Sequence, residues 1–118
     1  MVPLPPPHAK SRRVLRPPEF RQIYQTGIRM TSRYFTAFCL RESGSDPSRF
    51  GYTVPKAVGK AVERNRIRRR MKEAVRSRAS SIPNDWAVVF NPRRSALDAP
   101  FEELCREVGR IFARCNAS

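Results

Sequence analysis

The chain has 118 residues, enough for one domain with a single modest core. Twenty-four Lys and Arg against ten Asp and Glu leave a net charge of +14, which makes a nucleic acid the first partner to weigh and an anionic membrane surface the second. No apolar stretch approaches the roughly 20 residues of a membrane-spanning helix, and the three cysteines, Cys39, Cys105 and Cys115, have neither metal-ligand spacing nor a complete pairing.

Met1 to His8 is rich in proline and lacks the apolar core of a signal peptide. With Lys10, Arg12 and Arg13 it reads as a disordered basic arm over residues 1–15, ahead of a single domain at 16–118. A cytoplasmic location is expected. Pro17-Pro18-Glu19 suits a helix entrance, with proline preset for the first turn and glutamate at the positive dipole end. Phe20, Ile23 and Tyr24 then share a face, and Gly27 is a plausible stop.

Arg33 to Leu40 alternates Tyr34, Thr36, Phe38 and Leu40 against Phe35, Ala37 and Cys39, a strand with two usable faces. A turn-rich loop spans Glu42 to Ser48, and Phe50 to Val54 is a second strand halted by Pro55. The third strand, Asp85 to Phe90, is ended by Asn91-Pro92. Pro100-Phe101-Glu102-Glu103 opens a last helix with Leu104, Val108, Ile111 and Phe112 inward.

Between the second and third strands lies the most informative stretch. From Arg49 to Arg78 there are eleven basic residues and only two acidic ones, Glu63 and Glu73. A helix from about Lys60 to Ser77 places Ile67, Met71, Ala74 and Val75 in one stripe, with Asn65, Arg69, Lys72 and Arg76 opposite it. Arg68 flanks one edge of the stripe, Arg66 and Arg70 the other; Arg64 falls near the stripe itself and must snorkel or sit in an irregular first turn. A charge run is usually a solvated face. Here, however, Arg66 and Arg70, and Arg68 and Lys72, are like charges four apart that destabilise the helix unless a polyanion lies along it. Double-stranded DNA stays open as a target, since a basic helix also fits a major groove.

Phe20, Tyr24 and Phe38 form a second constellation, suited to stacking on unpaired bases but equally ordinary as core. Catalytic groups are scarce. The single histidine, His8, sits in the proline-rich arm, and Glu102, Glu103 and Glu107 look like surface companions of Arg106 and Arg110 rather than metal ligands.

Lys56, Gly59, Ala61-Val62, Arg64-Asn65-Arg66, Ile67, Arg68, Arg69 and Lys72 resemble the signature of the bacterial ribonuclease P protein subunit. The resemblance spans about Arg16 to Cys115. It takes in Phe20-x-x-x-Tyr24-x-x-Gly27, Arg33-x-Phe35-x-x-Phe38 and Arg49-x-Gly51. It implies an α+β sandwich, helix-strand-strand-helix-strand-helix around a central sheet, with a left-handed strand-helix-strand crossover. It also implies a non-catalytic subunit of a ribonucleoprotein that hydrolytically removes the 5′ leader from precursor tRNA. In that family the catalytic RNA holds Mg2+, and no organic cofactor, membrane or obligate protein partner enters. Carried over by position, Lys56, Lys60, Arg64, Asn65, Arg66, Arg68, Arg69 and Lys72 face the catalytic RNA, and Phe20, Tyr24 and Phe38 face the leader. Arg70 stands where an apolar residue is usual, so it either widens the basic face or intrudes on the core. The main rival is a structural RNA-binding protein such as those of the ribosome; a protein-only nuclease would need a carboxylate cluster that the sequence does not offer.

Overall fold

The computed structural model describes residues 15–42, 47–82 and 84–117. The proline-rich start of the expected arm therefore lies outside the described residues. Its last residue, Leu15, does not behave as arm: it is buried, and its amide donates to the Phe50 carbonyl at 2.9 Å.

Helix α1 (Pro17–Thr26) leads into strands β1 (Ile28–Thr31), β2 (Phe35–Arg41) and β3 (Arg49–Tyr52). Helix α2 (Ala61–Arg78), strand β4 (Trp86–Pro92) and helix α3 (Phe101–Asn116) follow. The sheet runs β1-β2-β4-β3, with β3 parallel to β4 and the other pairs antiparallel. Fold class is as expected, but β1 is an additional strand. It has four residues and buries only Met30, so no alternation is long enough to announce it.

Central strand β4 is buried on both faces, which is why it reads as a continuous apolar run. Val88 and Phe90 join Phe35, Ala37 and Cys39 of β2 under α2 and α3. Ala87 and Val89 look the other way, toward Leu15, Ile23, Phe20, Phe38 and Leu40 beneath α1. The two faces expected of β2 are both in use. Each large side chain fully withdrawn from water, such as Phe112 or Ile67, stabilises the fold by about 1.5–3 kcal/mol.

Strand boundaries differ from the sequence pattern: β2 starts at Phe35 rather than Arg33, and β3 ends at Tyr52 rather than Val54. β4 continues through Asn91 and Pro92, where a stop was expected, because Pro92 pairs in register with Phe35 at the strand end. Asp85, taken as the first residue of that strand, instead has φ 77° in the preceding turn. Gly27 does end α1, but not by a left-handed cap, since its φ is −77°. Glycine is needed there for closeness: a Cβ would lie 2.5 Å from the Ile23 carbonyl oxygen. All three cysteines are buried free thiols; the Cys115 sulfur beside it, together with burial, pushes the Cys39 thiol well above its ordinary range.

Candidate nucleic-acid interface

The entrance to α2 is a built structure. Glu63 accepts the Lys60 amide at 2.9 Å, satisfying a donor that the helix start leaves open. Arg94, from the 3₁₀ turn after β4, grips both oxygens of Glu63 at 3.0 and 2.7 Å and also donates to the Val58 carbonyl at 3.1 Å. This fork of hydrogen bonds, with the Lys60 amide behind it, holds the Glu63 carboxyl down at about 2. Gly59 leaves room for this pair: a Cβ there would sit 2.7 Å from both Arg94 Nη1 and Glu63 Oε1 and would push the two side-chain tips aside. Arg64 resolves its awkward position by turning back, its Nε donating to the Gly59 carbonyl at 3.1 Å.

Beyond this entrance, Ile67, Met71, Ala74 and Val75 are buried as the stripe required. Lys56, Lys60, Asn65, Arg66, Arg69 and Lys72 are exposed; Arg64 and Arg68 are half-buried. Arg68 donates to the Asn65 amide oxygen at 3.0 Å, which ties the two signature residues together on one flank. Arg66 and Arg69 have no hydrogen-bond or ion-pair partner among the described residues, so their charge is left for something outside the chain. Arg70 neither widens the basic face nor enters the core. Its guanidinium donates to the Ala96 carbonyl at 3.1 Å and to the Ala99 carbonyl, bracing the segment ahead of α3.

The expected aromatic trio comes together. Phe20 and Tyr24 have ring centroids 6.3 Å apart, and Phe38 meets Tyr24 edge-on at 4.8 Å. Tyr24 is 36% exposed, whereas Phe20 and Phe38 are half-buried and pack on the lesser core. Phe20 and Phe38 thus serve the core in part, and the Tyr24 ring is open to solvent. The Tyr24 hydroxyl donates to the Asn91 amide oxygen at 3.1 Å and lies 3.2 Å from the Thr53 hydroxyl. Phe20 reaches the sheet because Gly51 leaves room for it; a Cβ at Gly51 would lie 2.5 Å from the Phe20 ring. From Phe20 a groove runs to α2, walled by Phe20, Gly51 and Tyr52 on one side and by Arg68 and Lys72 on the other. Lys72 Nζ stands 5.9 Å from the Tyr52 ring centre. Of the trio, Phe20 alone lines this groove with the signature helix.

A family model described as Ribonuclease P matches residues 9–116. The chain belongs to the ribonuclease P family. Among its relatives, the ribonuclease P protein component of Clostridioides difficile is 36% identical over 101 residues, covering 85% of this chain and 88% of the relative. That of Symbiobacterium thermophilum is 34% identical over 97 residues, covering 82% and 84%. In three dimensions the RNase P protein from Thermotoga maritima superposes with a TM-score of 0.76 at 25% identity, over 85% of this chain and 94% of that one. A mutant RNase P protein from Staphylococcus aureus shares the fold, with a TM-score of 0.78 at 22% identity over 91% of each chain.

Against this family background, the residues that sequence reasoning missed are the supports. Arg94 sits 31 positions from its partner Glu63, so no local spacing gives it away. Arg93, which donates to the Ser32 carbonyl at 2.8 Å, is hidden in the same way. Thr53 and Asn91 are polar strand ends with no motif, although Asn91 before Pro92 was visible as punctuation. Among the described residues no three His, Cys, Asp or Glu side chains gather as a metal-binding group, and no helix is long and apolar enough to cross a membrane.

Proposed function

We propose that this chain is the RNA-binding clamp of its ribonucleoprotein, with α2 seated on the catalytic RNA and the Phe20, Tyr24 and Phe38 rings receiving the 5′ leader of precursor tRNA. Family membership carries the coarser part: it is a protein component of ribonuclease P, a tRNA-processing endonuclease complex whose partner is the ribonuclease P RNA. The finer part rests on one observation. A groove brings Phe20, which meets Tyr24 ring to ring, and Tyr52 opposite Arg68 and Lys72 of the signature helix.

A single-stranded leader suits that groove because its bases stack on aromatic rings while its phosphates meet cations. Lys56, Lys60, Arg64, Asn65, Arg66, Arg68, Arg69 and Lys72 form the proposed contact with the catalytic RNA. Hydrolysis and its Mg2+ belong to that RNA in this reading; the chain contributes orientation and affinity. Magnesium would supply an activated water and neutralise charge at the scissile phosphate. The described residues of the protein provide no carboxylate set to hold it. The leader exists in precursor tRNA and is missing from the mature product, so a protein site for it gives substrate a binding advantage over product.

Two measurements test this. Rigorously RNA-free protein with magnesium is expected to leave precursor tRNA intact, and site-specific cleavage by the protein alone would sink the clamp reading. In the reconstituted holoenzyme, Tyr24→Ala or Phe38→Ala is expected to weaken precursor binding by about 1–3 kcal/mol while leaving mature tRNA nearly unchanged. Circular dichroism must show each variant folded, because both rings are partly packed. An unchanged precursor-to-mature ratio in folded variants returns these rings to the core.

A further inference from the structure

A second aromatic–cationic surface lies on the opposite flank of α2. Phe101, the first residue of α3, is 41% exposed although its helix is otherwise well buried on its apolar face. It borders a concavity of about 470 Å³ together with Arg66, Arg69, Arg70 and Glu73. Arg66 and Arg69 have no protein partner among the described residues, while Glu73 is engaged by Arg76 at 3.2 Å. Arg70 has a different part. By donating to the Ala96 and Ala99 carbonyls it fixes the backbone two residues before Phe101, on the rim of the concavity that the ring shares with the α2 arginines. An apolar ring held at the surface beside two uncompensated guanidinium groups matches one chemistry well: a flat aromatic base attached to a phosphate.

We infer that Phe101 is a stacking platform for an unpaired base of the catalytic RNA, with Arg66 and Arg69 holding the flanking phosphates and Arg70 positioning the ring. This rests on the proposal that α2 seats on that RNA. It adds a contact with base character on the α3 side, separate from the leader groove on the Arg68 and Lys72 side. Binding by stacking differs from binding by charge in its salt response. Losing a phosphate contact flattens the dependence of affinity on salt, whereas losing a stacked base lowers affinity at every salt concentration.

The test is equilibrium binding of the full chain to the ribonuclease P RNA across a salt series. Phe101→Ala is expected to weaken binding about tenfold with the salt slope unchanged, and Phe101→Trp to retain parental affinity. Phe101→Leu keeps apolar bulk and helix propensity while removing the aromatic face, so it is expected to melt like the parent and still lose affinity. It decides the matter if the alanine variant fails to fold. Arg69→Ala, run in parallel, is expected to weaken binding with a slope flatter by about one contact. Parental affinity in Phe101→Leu alongside a weakened Arg69→Ala overturns the platform and leaves the RNA-facing helix standing. Parental affinity in both overturns the RNA-facing helix as well.

Discussion

Helices α2 and α3 pack side by side on the same face of the sheet, yet they handle charge in opposite ways. α3 buries six of its 16 residues and interleaves Glu102, Glu103 and Glu107 with arginines. Glu107 pairs with Arg110 at 2.9 Å and accepts from the Ser32 hydroxyl at 2.8 Å, and Glu103 accepts from the Tyr34 hydroxyl. Both partnered glutamates are thus settled within the protein, and of its charged side chains only Glu102 and Arg106 lack a partner among the described residues. α2 buries only four of its 18 residues, and its two glutamates are committed to Arg94 and Arg76. Arg66 and Arg69 are left over. A helix that the fold alone does not balance is one that the fold is holding ready for a partner.

This contrast fails if α3 is not chiefly structural. Phe112 is fully buried and meets Phe50 at 5.8 Å and Phe90 at 6.4 Å between ring centroids. Phe112→Ala is expected to destabilise the protein by about 3–5 kcal/mol in denaturant unfolding. RNA affinity should fall only in proportion to the unfolded fraction.

A finer cut separates two neighbouring arginines. Arg70→Ala removes a guanidinium bound to two carbonyls and is expected to cost about 1–3 kcal/mol of stability. Arg69→Ala removes an exposed, unpartnered charge, so melting should hardly change while RNA binding weakens by about 1–3 kcal/mol. Identical profiles for the two variants would erase the division between bracing and binding within α2.

The smallest expected effect is a pH response at the α2 entrance. Glu63 is held at about 2 in the folded protein against an ordinary 4.5. A lowered carboxylate stabilises the fold above its unfolded value and loses that contribution as pH falls through its folded one. The entrance should therefore loosen between about pH 4.5 and 2, seen as faster amide exchange at Lys60 and Arg64. Glu63→Gln should flatten that response; an identical acid profile would place the titration elsewhere.

Much of this architecture was legible because it is written in local periodicity. The stripe Ile67, Met71, Ala74 and Val75, the alternation of Phe35 to Leu40 and the inward set of α3 all depend on neighbours within two turns. The aromatic trio was singled out by residue type, with stacking and core both open, and the family likeness added its assignment to the leader. What escaped notice was remote and polar. Arg94 on Glu63 and Arg70 on Ala99 link separate segments, and a side chain's hydrogen-bond partner leaves no trace in spacing. Arg70 shows the cost of judging by residue type: a cation in a basic run was weighed only as surface or intrusion, and it is a strut.

Strand β4 lies between β2 and β3, so neighbours in sequence are not neighbours in the sheet. During synthesis the chain emerges from its N-terminus, and the sheet cannot close until residues 86–92 have been made. By then the whole of α2 has appeared with its apolar stripe uncovered, since the strand and helix that bury it come later. The proposed RNA-facing surface is thus covalently complete before it is structurally fixed. Non-local closure of this kind is slow relative to helix formation, and a polyanion that binds only the finished arrangement pulls that closure forward by mass action.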